Sequence, residues 1–181
     1  IRLSLVGSEM CIRDRPYGRQ SISEDDIQAV VDVLRGDWLT TGPAVAAFEA
    51  RLGEVAGGHR AITATSGTAA LHMAYGAAGV TRGDTVISTP MTFIATTAMA
   101  SVLGANIVFA DVEEDTALID PDAVDALVDE RTKVIAAVDY AGHPADYDRL
   151  SAAAARVDAL VLDDAAHSIG STYKGLSLIH I

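Results

Sequence analysis

Cysteine is almost missing from this sequence: the single Cys11 leaves no intramolecular disulfide to form. Positive charge is scarce too, with 13 Lys+Arg against 25 Asp+Glu. That balance argues against nucleic acid or an acidic membrane surface as a partner through the general field, while a local basic pocket could still hold an anion. No apolar run is long enough to cross a bilayer, because Gly, Asp or Thr interrupts each one. Neither a G-x-G-x-x-G fingerprint nor a Walker loop with its Lys-Ser/Thr pair occurs. Lysine occurs only at Lys133 and Lys174. Aromatics are few, and the apolar half of the chain comes mostly from Ala and Val, as expected of helices packed on a sheet.

The ends differ from the middle. Residues 1–15 have a short apolar start but no long h-region and no A-x-A site, so they make a poor signal peptide. Residues 176–181 form an apolar tail without a turn or cap. Both ends resemble translated sequencing-adapter read-through and are expected to be non-native, which leaves 16–175 as one partial domain. Setting Cys11 aside with the first of them, the remainder has no cysteine, which fits a cytoplasmic location.

Between the ends, strand and helix patterns alternate. Ser23 and the acidic 24–26 turn predict a helix start, with Ile27, Val30, Val31 and Leu34 in helical spacing and Gly36 as the stop. A loop over 38–43 precedes a second helix carrying Val45, Phe48, Leu52 and Val55. Strands are expected at 60–65, 85–88, 106–111, 133–139 and 159–162. Helices are expected at 68–78, 93–103, 120–127 and 145–156, the first of them packing through Leu71, Met73, Ala74 and Ala77. Short buried strands joined by helices imply a three-layer α/β/α domain with a mostly parallel sheet.

Sites in such sheets lie beyond the carboxyl ends of the strands. Four groups fall there: 66–68, 89–93, 139–143 and 163–167. Ser66-Gly67-Thr68 offers a permissive backbone and the free amides of a helix start, which attract phosphate, though an ordinary strand-to-helix turn has the same composition. Phe93 could present a flat face to a heterocycle or fill the core. Asp164 ends an apolar run, where a carboxylate is costly without a cationic partner such as a protonated pyridine nitrogen. It could equally be an N-cap, with His167 a satisfied histidine. A metal held by Asp163, Asp164, His167 and His143 is a third reading, at a spacing that matches no established metal motif. A Schiff-base lysine is what pyridoxal phosphate chemistry would still require. Lys133 starts a strand at the wrong edge, and Lys174 lies in a turn, so both read as solvated.

Taken in order, Trp38-Leu-Thr-Thr-Gly-Pro43, Phe48-Glu49, Ser66-Gly-Thr-Ala-Ala-Leu71, Thr89-Pro-Met-Thr-Phe93, Asp139-Tyr-Ala-Gly142 and Asp163-Asp-Ala-Ala-His-Ser168 resemble the DegT-type nucleotide-sugar aminotransferases. The resemblance implies the large domain of pyridoxal phosphate fold type I, like aspartate aminotransferase, and covers only its first part. It implies pyridoxal 5'-phosphate held by Gly67, Thr68 and Ala69 at the phosphate, Phe93 on the ring, Asp164 at the ring nitrogen and His167 beside it. Tyr17, Trp38, Leu39 and Thr40 would line a UDP-sugar site. The reaction would move an amino group from glutamate to a C4 ketone, in a homodimer. Ala98 departs from the asparagine usual in the family. The family's Ser-Phe-His-x-x-Lys segment is absent, so the polypeptide as written is expected to be inactive.

Overall fold

The computed structural model describes residues 20–177. The chain divides into two compact units, Ile1–Ala44 and Val45–Ile181. The first ends in helix α1 (Glu24–Arg35) and the turn that follows it. Ser23 and Asp26 form a reciprocal capping box: the Ser23 hydroxyl accepts from the Asp26 amide (3.2 Å) and the Asp26 carboxylate accepts from the Ser23 amide (2.8 Å). Those Ser23 bonds hold the Asp26 carboxyl below the usual carboxylate range. The apolar row of α1 is exposed within its unit, with no residue of the helix buried. In the turn, a Cβ on Gly42 would sit 2.5 Å from Trp38 Cβ, so only glycine permits that close approach.

The second unit holds α2 (Pro43–Val55), which begins at the boundary, then α3 (Gly67–Ala77), β1 (Thr85–Ser88), α4 (Ala95–Val102), β2 (Asn106–Phe109), α5 (Pro121–Leu127), β3 (Thr132–Val138), α6 (Tyr147–Ala155) and β4 (Leu160–Asp164). The strands form one fully parallel sheet in the order β2-β1-β3-β4. Alternation along the strands sends Val86, Val134, Ala136 and Leu162 to one face, against Tyr75 of α3 and Ala100 of α4. Ile87, Ile135, Ala137 and Val161 face the other way, against Val124 of α5 and Tyr147 and Leu150 of α6. The three-layer expectation therefore holds.

Three local expectations fail. Segment 60–65 is extended in composition but pairs with no strand among the described residues. A strand exists only by its ladder, and here Thr63 instead donates through both its amide and its hydroxyl to Glu49 of α2, each at 2.8 Å. Within α3 the deep anchor is Tyr75, fully buried, whereas Met73 is 46% exposed. Helix α4 starts at Ala95, two residues past Phe93. Beyond β4, β5 (Thr172–Tyr173) and β6 (Leu176–Ser177) make a small antiparallel ladder.

Candidate functional site

The sheet order creates the position of the site. From β1 the chain leaves toward β2, and from β3 it leaves toward β4, so the loops after β1 and β3 diverge. The crevice outside the carboxyl ends at such a switch point is where ligands bind in open α/β sheets. A recess of about 260 Å³ lies there, lined by Pro90, Met91, Thr92 and Phe93 after β1, by Val138 at the end of β3 and Tyr140 after it, and by His167 after β4. Phe93 is 73% exposed and so is not a core residue. His167 stands edge-on to Tyr140, ring centroids 6.3 Å apart. Ala141 and Gly142 of that loop both have positive φ, and a Cβ on Gly142 would lie 3.1 Å from the His167 carbonyl oxygen. Close packing of the two loops explains the strained backbone.

Strand β4 runs two residues further than its apolar core suggests. Asp163 pairs with Ala137 and Asp164 with Val138 in the backbone register. Consecutive strand residues face opposite ways, so the two carboxyls separate. Asp164 turns to the α4 side, where its Oδ2 accepts from the hydroxyl of the fully buried Thr96 at 2.7 Å. Its Oδ1 receives only a 3.4 Å contact from the Ala166 amide. Asp164 is no N-cap, since turns rather than a helix follow it. Asp163 turns to the α6 side near Tyr147 and Asp139, where burial pushes its carboxyl up to about 7 despite the Tyr147 hydroxyl. Asp139 does not face the crevice. It is fully buried, and its Oδ1 accepts from the Ala145 amide (3.0 Å) and the Tyr147 hydroxyl (2.7 Å), stapling the loop after β3.

Gly67 opens α3 behind the N-cap Ser66, whose hydroxyl accepts from the Ala69 amide at 3.2 Å. That bond occupies one of the three amides expected to meet a phosphate, while the first amides of the helix, on Gly67 and Thr68, have no intrahelical acceptor. A Cβ built on Gly67 meets nothing within 4 Å, so the space before the helix is open. One cavity of about 480 Å³ is lined by Gly67, Ala70 and Leu71 of α3, by Asp163 and Asp164 at the end of β4 and Ala166 after it, and by Ile62. The anion-attracting helix end and the strand-end carboxylate therefore share one opening, a donor set that suits a ligand with a phosphate at one end and a cationic nitrogen at the other.

Three further hydroxyls, on Thr92, Thr96 and Tyr75, complete the arrangement. Thr92 and Thr96 hydroxyl oxygens are 2.8 Å apart, and the Tyr75 hydroxyl donates to the Thr96 carbonyl at 2.5 Å. They link the Phe93 loop and α3 to Asp164. Trp38, Leu39 and Thr40 fall in the first unit, where Trp38 and Leu39 are 62% and 68% exposed. Tyr17 lies outside the described residues. No three His, Cys, Asp or Glu side chains converge as metal ligands among the described residues.

Residues 20–179 match the family model described as the DegT/DnrJ/EryC1/StrS aminotransferase family. The chain belongs to that family. Spr1654 from Streptococcus pneumoniae in its PLP-form is 34% identical with a TM-score of 0.85, over 91% of this chain and 46% of that one. Helicobacter pylori PseC, an aminotransferase involved in the biosynthesis of pseudoaminic acid, is 30% identical with a TM-score of 0.84, over 90% and 44%. The sugar aminotransferase CalS13 from Micromonospora echinospora is 34% identical with a TM-score of 0.83, over 90% and 46%. The chain thus spans under half the length of these DegT-family structures. Aminotransferases of the DegT family use pyridoxal phosphate, and the similarity extends across the parallel sheet that carries the crevice.

Proposed function

We propose that the chain is the pyridoxal phosphate-binding part of a sugar aminotransferase that transfers an amino group from glutamate to the C4 ketone of a UDP-linked deoxysugar. One observation carries the reading: Gly67 and Asp164 line the same cavity. When bound, the cofactor's protonated pyridine ring acts as an electron sink for the carbon bearing the transferred nitrogen. The amides at Gly67 and Thr68, with Ala69 in the same turn, hold the phosphate. Asp164 keeps a proton on the ring nitrogen, Phe93 stacks on the ring, and His167 lies beside it. Tyr17, Trp38, Leu39 and Thr40 contact the sugar nucleotide. We place the enzyme in the cytoplasm as a homodimer. Its substrate assignment is that of UDP-4-amino-4,6-dideoxy-N-acetyl-β-L-altrosamine transaminase of pseudaminic acid biosynthesis. PseC's presence among the similar structures supports this reading, and the 4-amino-arabinose transaminase of lipid A modification is the alternative.

Neither lysine of the sequence stands at the crevice. Lys133 is the second residue of β3, at the far end of the sheet, its Cε 3.9 Å from a Cβ built on Gly79. Lys174 is paired with Asp148 and lies over the Tyr173 ring. The 181-residue polypeptide is therefore expected to bind cofactor without covalent attachment and without turnover. Titrating it with pyridoxamine 5'-phosphate, which needs no lysine, checks the cofactor reading. Saturable binding is expected, weakened about tenfold or more by Asp164→Asn, as for loss of a hydrogen bond between charged groups. Equal affinity of the two proteins would overturn it.

A further inference from the structure

We propose that Thr96 is a positioning residue for Asp164, the last donor in a relay of hydroxyls that fixes which carboxylate oxygen faces the cofactor's ring nitrogen. The inference rests on the cofactor reading above. Thr96 has one hydroxyl proton, and the 2.7 Å contact to an acceptor-only carboxylate oxygen uses it. The 2.8 Å contact between the Thr92 and Thr96 hydroxyls must then run the other way, with Thr92 donating. The order is Thr92 to Thr96 to Asp164 Oδ2, and the 3.4 Å contact from the Thr92 hydroxyl to the Phe93 carbonyl is the longer competitor for the Thr92 proton. A hydroxyl that itself accepts a hydrogen bond donates more strongly in a low-dielectric site.

Burial keeps this arrangement in place. Thr96 is completely inaccessible, and its backbone carbonyl accepts from the equally inaccessible Tyr75 hydroxyl at 2.5 Å. Tyr75 belongs to α3, the helix whose start faces the cavity, and Thr96 to α4. Burial and the nearby Asp164 charge push the Tyr75 hydroxyl above its usual range, so it stays a donor. The bonds therefore span α3, α4 and β4, the elements that also set the spacing between Gly67 and Asp164. With Oδ2 satisfied, Oδ1 has only the 3.4 Å Ala166 amide contact and keeps its acceptor capacity for the cavity. Loss of the Thr96 hydroxyl leaves Oδ2 without its donor and lets the carboxylate rotate toward other partners.

Two probes test this: pyridoxamine 5'-phosphate and its 1-deaza analogue, in which carbon replaces the ring nitrogen. Thr96→Val keeps the shape and removes the donor. It should weaken pyridoxamine phosphate binding about ten- to a hundredfold, the range for a hydrogen bond to a charged group. Binding of the deaza analogue should stay level, and Thr96→Ser should restore the natural probe. Equal weakening of both probes would mean a merely structural role and overturn the proposal. So would wild-type affinity in Thr96→Val while Asp164→Asn remains weakened, an outcome that leaves the cofactor reading standing. No binding by the wild-type chain would sink both. If Thr96→Val does not fold, the half-buried Thr92→Val carries the test, with a loss of about three- to tenfold for pyridoxamine phosphate and none for the analogue, as for a neutral hydrogen bond. No such difference between the probes would also overturn the proposal.

Discussion

Asp163 is a buried carboxyl that parts with its proton later than an exposed one would. Burial raises its carboxyl from the ordinary 3.8 to about 7, and the charges of Asp139 and Asp164 add to the effect. Between those values the folded chain binds a proton that the unfolded chain has released. Stability should therefore fall as pH rises from about 4 to about 7 and level off above that. Asp26 and Glu49, whose carboxyls are held low by bonds from Ser23 and Thr63, act in the opposite sense, but below that window. Urea midpoints at about pH 5 and pH 8 should differ in the natural chain, and Asp163→Asn should flatten the difference. An unchanged slope would show that the proton is held elsewhere. Asp164 was legible in the sequence because a charge ending an apolar run is conspicuous. Thr96 was not, because a threonine in a helix says nothing about a partner 68 residues away. The buried role of Asp139 was hidden in the same way, since both its donors come from the far side of a turn.

Helices and strands show how local composition and distant pairing share the work. The capped start of α1 and the Gly36 stop could be read directly, since a cap is satisfied within a few residues. Periodicity within α3 found Leu71, which packs on the inner face, but placed Met73 there and missed Tyr75, whose anchor is Thr96 on another helix. Segment 60–65 has the residues of a strand without the company of one. Two predictions belong at this scale. Ser66→Ala removes the acceptor of the Ala69 amide and should destabilise the chain by about 1 kcal/mol, read as a lower melting temperature. Gly104→Ala, at φ +95° and with Arg82 Cα 3.2 Å from the added Cβ, should destabilise it by about 1–3 kcal/mol. A neutral result would show that the turn after α4 relaxes freely.

The second unit is built on a parallel sheet whose β4 has a partner on one side only among the described residues. Leu160 on that strand is 52% exposed, and with Ala74, Ala78 and Leu162 it lines an open recess of about 240 Å³. An open strand edge next to apolar surface is a template for pairing with another chain. The 181-residue polypeptide should therefore self-associate as its concentration rises, and Leu160→Lys should return it toward monomer in sedimentation velocity. Monomeric behaviour of the natural chain at all concentrations would contradict this. The layered α/β/α class was legible because strand and helix periods alternate along the chain, whereas the identity of the edge strands depends on pairings that no local pattern encodes.

The two faces of β4 give its spelling an unusual rigidity. Dropping one residue upstream, at Val161 for instance, would leave two adjacent aspartates and nearly the same composition. It would also turn each carboxyl to the opposite side, the second into the greasy layer beside Tyr147, and put Ala165 where Asp164 meets Thr96. A slip of a single position would thus take the carboxylate from beside Thr96 while every acidic side chain remained in the gene product.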